Sequence, residues 1–255
     1  LKSEPSNSDG LSILASVTLQ LAYHASLPIK KELLLEASTH LSAVVVMATA
    51  TNRLLNYWGQ LLMQIGMVVG ADERDQFFAQ AIVKFEQAFQ VGKHRHLELL
   101  NQATAWLAWA IGGKPTDAAM RLARVEQVLS DSYEISPTLA VRVMRTETRA
   151  LRAVFATTEI SEGELQAALG EFDALLAAEP SNAIVHISAA RFYQVLARRL
   201  SDSSIQEVFL QLAAQYWVKA EQLAPGCTRG RNSSALMGAP EGGLVESAVM
   251  PLSLG

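Results

Sequence analysis

The stretch that decides the fold is residues 162–225, which reads EGELQAALGEFDALLAAEP, then SNAIVHISAARFYQVLARRL, then SDSSIQEVFLQLAAQYWVKAEQLAP. One pattern occurs twice in it, first as Ala168, Phe172 and Pro180 and then as Ala213, Trp217 and Pro225. An alanine and an aromatic four positions apart share one helix face, where the alanine admits a neighbouring helix and the aromatic fills the space behind it. The proline ends the helix. The stretch therefore predicts helix–turn–helix repeats.

This pattern resembles the tetratricopeptide repeat, whose units are about 34 residues of paired antiparallel helices. The two copies lie farther apart than one such unit, which is a departure from the family. Ala81, Phe85 and Ala88 follow the family spacing, although Lys93 stands where the proline would be. The resemblance covers about residues 29–225 and implies an all-α fold, a right-handed superhelix of antiparallel helix pairs.

Glycine inside a helix costs about 1 kcal/mol relative to alanine, so Gly59 in Tyr57-Trp58-Gly59 needs a packing reason. In tetratricopeptide helices a glycine at this point lets the partner helix touch backbone. Residues 1–10 are predicted to be a flexible lead, residues 11–225 the helical repeat domain, and residues 226–255, rich in Gly, Ser and Pro, a flexible tail. About ten helices in five pairs are predicted in the domain, over residues 11–27, 29–48, 51–70, 75–91, 96–113, 115–132, 137–156, 162–179, 183–200 and 204–223.

Composition limits the function classes. A hydrophobic fraction of 50 % with only 7 % aromatics, much of it Ala and Leu, favours closely packed helices over sheets. The net charge of −4 gives no reason to expect nucleic acid as a partner. The single cysteine, Cys227, excludes an internal disulfide and a cysteine-based zinc site. No targeting segment is visible in LKSEPSNSDG, and a reducing soluble compartment, cytoplasm or organelle matrix, is favoured.

Arginines recur on one predicted helix at spacings of three, four and three, which places them on one face: Arg142, Arg145, Arg149 and Arg152. Glu147 points elsewhere. Arg191 and Arg198 on a later helix are roughly aligned with each other. If first helices of successive repeats line a concave surface, as the resemblance implies, these arginines could hold carboxylates or phosphates of a partner. The alternative is a solvated face, or pairing with acids such as Glu164 or Glu171.

Residues 54–71 form an uncharged run of membrane-spanning length. Asn56, Gln60 and Gln64 nevertheless recur at every fourth position and make a polar stripe, which favours a binding face or a helix–helix seam over a membrane span. Peptide-clamping members of the family use a Lys and Asn set on successive first helices. Leu100 and Thr104 occupy the equivalent places here, so that clamp is not matched.

Motifs for enzyme chemistry are hard to find. The chain has no phosphate-cradling glycine loop, no Gly-x-Ser-x-Gly elbow and no His-Glu-x-x-His helix. Lys93-His94-Arg95-His96 with Glu98 reads as a solvated basic turn rather than a metal site, so neither a metal nor a cofactor is expected.

The leading hypothesis is a non-catalytic scaffold or adaptor that presents a concave groove to a protein or peptide partner. The arginines would favour an acidic partner. The resulting candidate partner-binding residues are Asn56, Gln60, Gln64, Arg142, Arg145, Arg149, Arg152, Arg191 and Arg198. The alternative is a structural subunit permanently embedded in a large assembly, organellar or membrane-associated. An all-α enzyme of unrecognised type ranks third, since it would need acids or histidines that converge in a pocket.

Overall fold

A computed structural model describes residues 13, 14, 17, 18, 21, 22, 25, 27–47, 51–92, 95–155 and 162–225. The long helices in this part of the chain are α1 (Leu27–Met47), α2 (Asn52–Val68), α3 (Ala71–Val91), α4 (Arg95–Gly112), α5 (Pro115–Ile135), α6 (Leu139–Phe155), α7 (Glu162–Ala178), α8 (Ala183–Arg199) and α9 (Ser203–Leu223). The described ranges contain no strand. The predicted all-α class is therefore confirmed. Most of the first predicted helix, the lead and the tail lie outside the described residues.

Helix ends follow the capping signals of the sequence. The Thr51 hydroxyl accepts a hydrogen bond from the Leu54 amide at 3.2 Å, and the Asn182 side chain accepts one from the Ile184 amide at 3.0 Å. Asp202 caps α9 in the same way, and Pro115 occupies the first turn of α5. These side chains satisfy amides that have no partner within the helix, which is why the helices begin there.

The start of α3 differs from the prediction. Helix α3 begins at Ala71 with Gly70 as its N-cap, four residues before the predicted start. Asp72 and Glu73 lie in its first turn, where their negative charge faces the positive end of the helix dipole. These two acids therefore stabilise the first turn from inside the helix.

The described residues form two compact units, the first reaching to Trp109 and the second starting at Ala110. In the first unit α2 packs against both α1 and α3. Its cluster of Leu61, Ile65 and Val69 meets Leu34 and Ala37 of α1. Its opposite side meets α3, where Phe85 and Phe78 are almost completely buried.

In the second unit each helix from α5 to α9 packs against the next one, and α6 also packs against α8. The alanine–aromatic pattern lies in the core: Phe172 is fully buried and stacks on Phe192 with ring centroids 4.9 Å apart. Trp217 packs with Ile187 and Ala190 of α8. Helices α7 and α9 end two residues before Pro180 and Pro225, as the prolines predict.

Gly59 has the packing reason that its position in a helix requires. A methyl group added there would lie 2.7 Å from Phe85 Cε1, so the ring occupies the space that a side chain would take. A methyl group added at Gly170 in α7 would have no neighbouring atom within 4 Å. Gly59 is thus a close-approach site between α2 and α3, whereas Gly170 is a solvent-facing helix position.

We predict that Gly59→Ala lowers the free energy of unfolding by about 1–3 kcal/mol, because the overpacking cost exceeds the gain in helix propensity. Gly170→Ala is the matched control and should raise it by about 0.5–1 kcal/mol. Urea denaturation followed by circular dichroism measures both changes. Equal effects of the two substitutions would show that Phe85 does not pack on the backbone at Gly59.

Candidate functional site

A buried carboxylate links α2 and α4 in the first unit. Glu98 of α4 is only 2 % exposed, and its Oε1 accepts hydrogen bonds from Asn52 Nδ2 at 2.6 Å and Asn56 Nδ2 at 3.2 Å. Asn101 Nδ2 donates to Asn56 Oδ1 at 3.1 Å. Glu98 Oε2 has no hydrogen-bond partner among the described residues. We call these four residues the Glu98 network.

A second buried carboxylate links α6 and α8 in the second unit. Glu147 has no exposed surface, and its Oε2 accepts a hydrogen bond from Ser188 Oγ at 2.8 Å. Arg191 donates to both carboxylate oxygens, through Nε and a terminal nitrogen, in a two-point ion pair. Such geometry gives a planar guanidinium its strongest contact with a carboxylate. We call these three residues the Glu147 network.

The two networks occupy corresponding places in the chain. Each joins a helix to the next but one, and the bonded residues are 42 to 46 positions apart in the first and 41 or 44 apart in the second. Both link helices that the sequence assigns as first members of successive pairs. Sequence reasoning missed both carboxylates as structural centres. The available signal was a glutamate amid apolar positions, such as Glu147 between Val143 and Leu151.

The predicted polar stripe on α2 is mostly engaged within the protein. Asn56 is 8 % exposed and belongs to the Glu98 network, and Gln64 is 7 % exposed. Gln60 lies between them and is half-buried. Of these three candidate binding residues, Gln60 has the largest surface available to a partner.

Arg142, Arg145, Arg149 and Arg152 of α6 form what we call the arginine face. The two outer residues are paired with carboxylates of other helices or turns: Arg142 with Glu179 at 3.5 Å, and Arg152 with Glu126 of α5. Glu171, which the sequence suggested as a partner, is exposed and forms no ion pair with the described residues, and the side chain of Glu164 lies outside them.

The two inner residues of the arginine face have no carboxylate among the described residues. The Arg145 guanidinium lies over the Tyr133 ring, 4.8 Å from its centroid, in a cation–π contact. Arg149 is exposed and forms no hydrogen bond or ion pair with the described residues. Within the part of the chain that the structure describes, two of the four guanidinium groups therefore have no carboxylate partner.

The remaining candidate arginines do not join this face as a group. Arg191 is committed to Glu147, so its expected role as a partner-binding cation has a competing structural one. Arg198 lies exposed in the last turn of α8. Its neighbour Arg199 lies over the Phe155 ring of α6, 5.4 Å from the centroid.

Two tyrosines with a raised pKa lie among aromatic side chains between α8 and α9. Tyr193 and Tyr216 stack with centroids 5.5 Å apart, and Phe209 stacks on Tyr193. Burial raises the pKa of both tyrosines, and the negative charge of Asp173 raises them further. The phenols stay neutral at physiological pH, which fits packing rather than nucleophilic chemistry. The described residues also contain no group of three His, Cys, Asp or Glu arranged to hold a metal ion.

We predict that Glu147→Ala lowers the free energy of unfolding by about 3–5 kcal/mol, because it leaves the Arg191 charge poorly compensated and largely buried. Glu126→Ala, which removes the exposed partner of Arg152, is the matched control and should cost less than about 1 kcal/mol. The double variant Glu147→Leu with Arg191→Leu should recover most of the loss. Chemical denaturation tests all three, and a loss for Glu147→Ala no larger than for Glu126→Ala would contradict the burial of this pair.

Comparisons with known protein families, with curated proteins and with solved structures give no match for this chain. None of the helices in the described ranges is both long and apolar enough to cross a membrane. Function is therefore inferred from the two buried networks and from the arginine face.

Proposed function

We propose that the chain is a non-catalytic interaction scaffold, built as a tetratricopeptide-like solenoid of helix pairs, that binds a protein or peptide partner on its first helices. In this arrangement α2, α4, α6 and α8 are the first helices, and α3, α5, α7 and α9 are the second helices. The observation that carries the proposal is the pair of buried networks, because each holds two first helices of successive pairs side by side.

Helix packing in the second unit supports this arrangement. Helix α6 packs against α7, the next helix, and also against α8, the next but one. Stacked pairs require both contacts, since each pair cannot bury its apolar face alone and covers it with the following pair. Phe172 and Phe192 stack at such a junction.

Side chains on the first helices support a binding role for that layer. The Glu98 and Glu147 networks fix the spacing of the helices, so neighbouring polar groups such as Gln60 and Arg149 are held on an ordered surface. A pre-ordered surface loses little conformational freedom on binding, which favours affinity. Protein partners are the class that such surfaces bind in helical repeat arrays.

The second candidate is a subunit permanently embedded in a larger assembly, and the exposed apolar side chains are the observation that bears on it. Several large ones lie more than half exposed on second helices: Val91, Met120, Val208 and Val218. Scattered apolar residues are common on monomers, so only a continuous patch would favour burial against other chains. An assembly subunit should aggregate when expressed alone, whereas a scaffold should be a monomer or a small oligomer in light scattering.

We predict that a partner contacts first helices in preference to second helices. A photo-crosslinking amino acid is placed at Gln60 or Thr146 on first helices, and at the exposed positions Gln80 or Gln215 on second helices as matched controls. Affinity capture from cell extract after irradiation should yield one crosslinked protein from the first pair of positions and much less from the controls. Equal yields at all four positions, or yields confined to Gln80 and Gln215, would contradict the proposal.

A further inference from the structure

The arginine face carries a local excess of positive charge at its centre. Glu179 and Glu126 neutralise the outer residues Arg142 and Arg152, while Arg145 contacts a tyrosine ring and Arg149 has no partner in the described part of the chain. The two unneutralised guanidinium groups are therefore adjacent, at positions i and i+4 of α6. This surplus of two stands on a chain whose net charge is −4.

No contact among the described residues explains why the like charges of Arg145 and Arg149 lie side by side. Two arginines at this spacing destabilise a helix by a few tenths of a kcal/mol when both are exposed. The Arg145 guanidinium lies over the Tyr133 ring, and its N–H groups form no hydrogen bond with the described residues. A free edge in a fixed position is the donor arrangement that an acceptor with two oxygens matches.

We propose that Arg145 and Arg149 bind an acidic segment of a partner protein, with two carboxylates at alternate positions of an extended peptide. The inference deepens the proposed function and rests on it for the statement that the partner is a protein. Side chains at i and i+4 of a helix are about 5–6 Å apart. Side chains on one face of an extended peptide are about 6.6–6.8 Å apart, so acid-x-acid matches the arginine spacing and two adjacent acids do not.

The same geometry disfavours a nucleic acid as the occupant. The arginine face is about 15 Å long from Arg142 to Arg152, taking 1.5 Å per residue. Duplex DNA carries one charge per about 1.7 Å of its axis, so about nine phosphate charges, over both strands, lie along this length. Among the described residues only two arginines of this face lack a carboxylate partner, and Glu126 and Glu179 flank them with negative charge. A sparse acidic peptide fits this alternation of charges, and a continuous phosphate backbone does not.

The outer ion pairs make the inference specific. A longer acidic segment would compete with Glu179 for Arg142 and with Glu126 for Arg152, since both pairs are at least one-third exposed. Removing those glutamates should therefore strengthen binding of an acidic peptide. A purely structural role of the arginine face would give no such gain.

The test is fluorescence anisotropy with the full chain and two rhodamine-labelled peptides of equal charge. One alternates glutamate with serine over four glutamates, and the other contains the same residues as adjacent glutamate pairs separated by serine pairs. We expect the alternating peptide to bind more tightly, and to weaken about fivefold with Arg145→Gln or Arg149→Gln, the upper range for an exposed ion pair. The double variant should weaken binding more than either single change, by about ten- to twentyfold, because the losses at two neighbouring residues do not simply add.

Arg124→Gln is the matched control. Arg124 is exposed on α5, two positions before Glu126 and hence on nearly the opposite side of that helix. It removes the same charge and should leave the affinity unchanged. The variant Glu126→Gln with Glu179→Gln should bind the alternating peptide more tightly than the native chain.

Two results would overturn the inference: equal affinity for the two peptides, or equal weakening by Arg124→Gln and Arg149→Gln, which would indicate diffuse electrostatics. Circular dichroism of each variant checks that folding is unchanged. A captured partner that crosslinks at Thr146 but binds the Arg145→Gln, Arg149→Gln variant normally would also overturn it, while leaving the scaffold proposal intact. Loss of first-helix crosslinking with retained peptide binding would contradict the scaffold proposal and leave the acidic-peptide inference standing.

Discussion

Contact between an aromatic ring and a small residue on the neighbouring helix is the constraint on which both units depend. Phe85 fills the space above Gly59, and Phe78 lies 3.3 Å from the position of a methyl group at Gly66. In the second unit Trp217 packs on Ala190. Protein interiors are packed as densely as organic crystals, so such contacts fix the distance between two helices within narrow limits. Once that distance is fixed, the orientation of the helix faces that point away from the contact is fixed as well.

The buried carboxylates add a second constraint, which concerns which helix lies next to which and in what register. Burying a glutamate is costly, and a well-packed apolar pair is often as stable as a buried ion pair. The value of Glu147 lies instead in what a wrong packing would cost, because a shift of α8 by one residue would remove Ser188 and Arg191 from a carboxylate that has no access to water. Glu98 uses amide donors for the same purpose. Packing sets the spacing of helices, and the carboxylates select among packings of equal spacing.

Helix positions could be predicted from the sequence because they depend on local signals. Pro180 and Pro225 each follow the end of a helix, because a proline cannot continue one. Thr51 and Asp202 each cap a helix through amides only two or three residues away. Partners could not be predicted in the same way. A spacing of three and four residues tells which side chains share a face, but not which helix covers that face.

Arg191 illustrates the difference. Its spacing from Arg198 suggested a common surface, whereas its guanidinium is bound to a carboxylate 44 residues earlier in the chain. Asn56 was predicted to be available to a partner, and it is bound within the Glu98 network. In both cases the sequence correctly placed a polar residue within a helix. The tertiary neighbour, which decides whether such a group is structural or available, is not encoded in the period of the pattern.

Helix α6 combines a structural ion pair on one side with arginines on the other. Helix α6 presents Glu147 on its buried side and four arginines on the other, so the side that binds α8 is separate from the side that carries the arginines. A change in the exposed arginines therefore leaves the buried ion pair intact. Conversely, the buried pair keeps α6 in a fixed orientation, and that orientation keeps Arg145 against Tyr133. The stability of the interior is what gives the exposed charges a defined geometry, and a defined geometry is what separates recognition of a spaced acidic sequence from attraction to any negative charge.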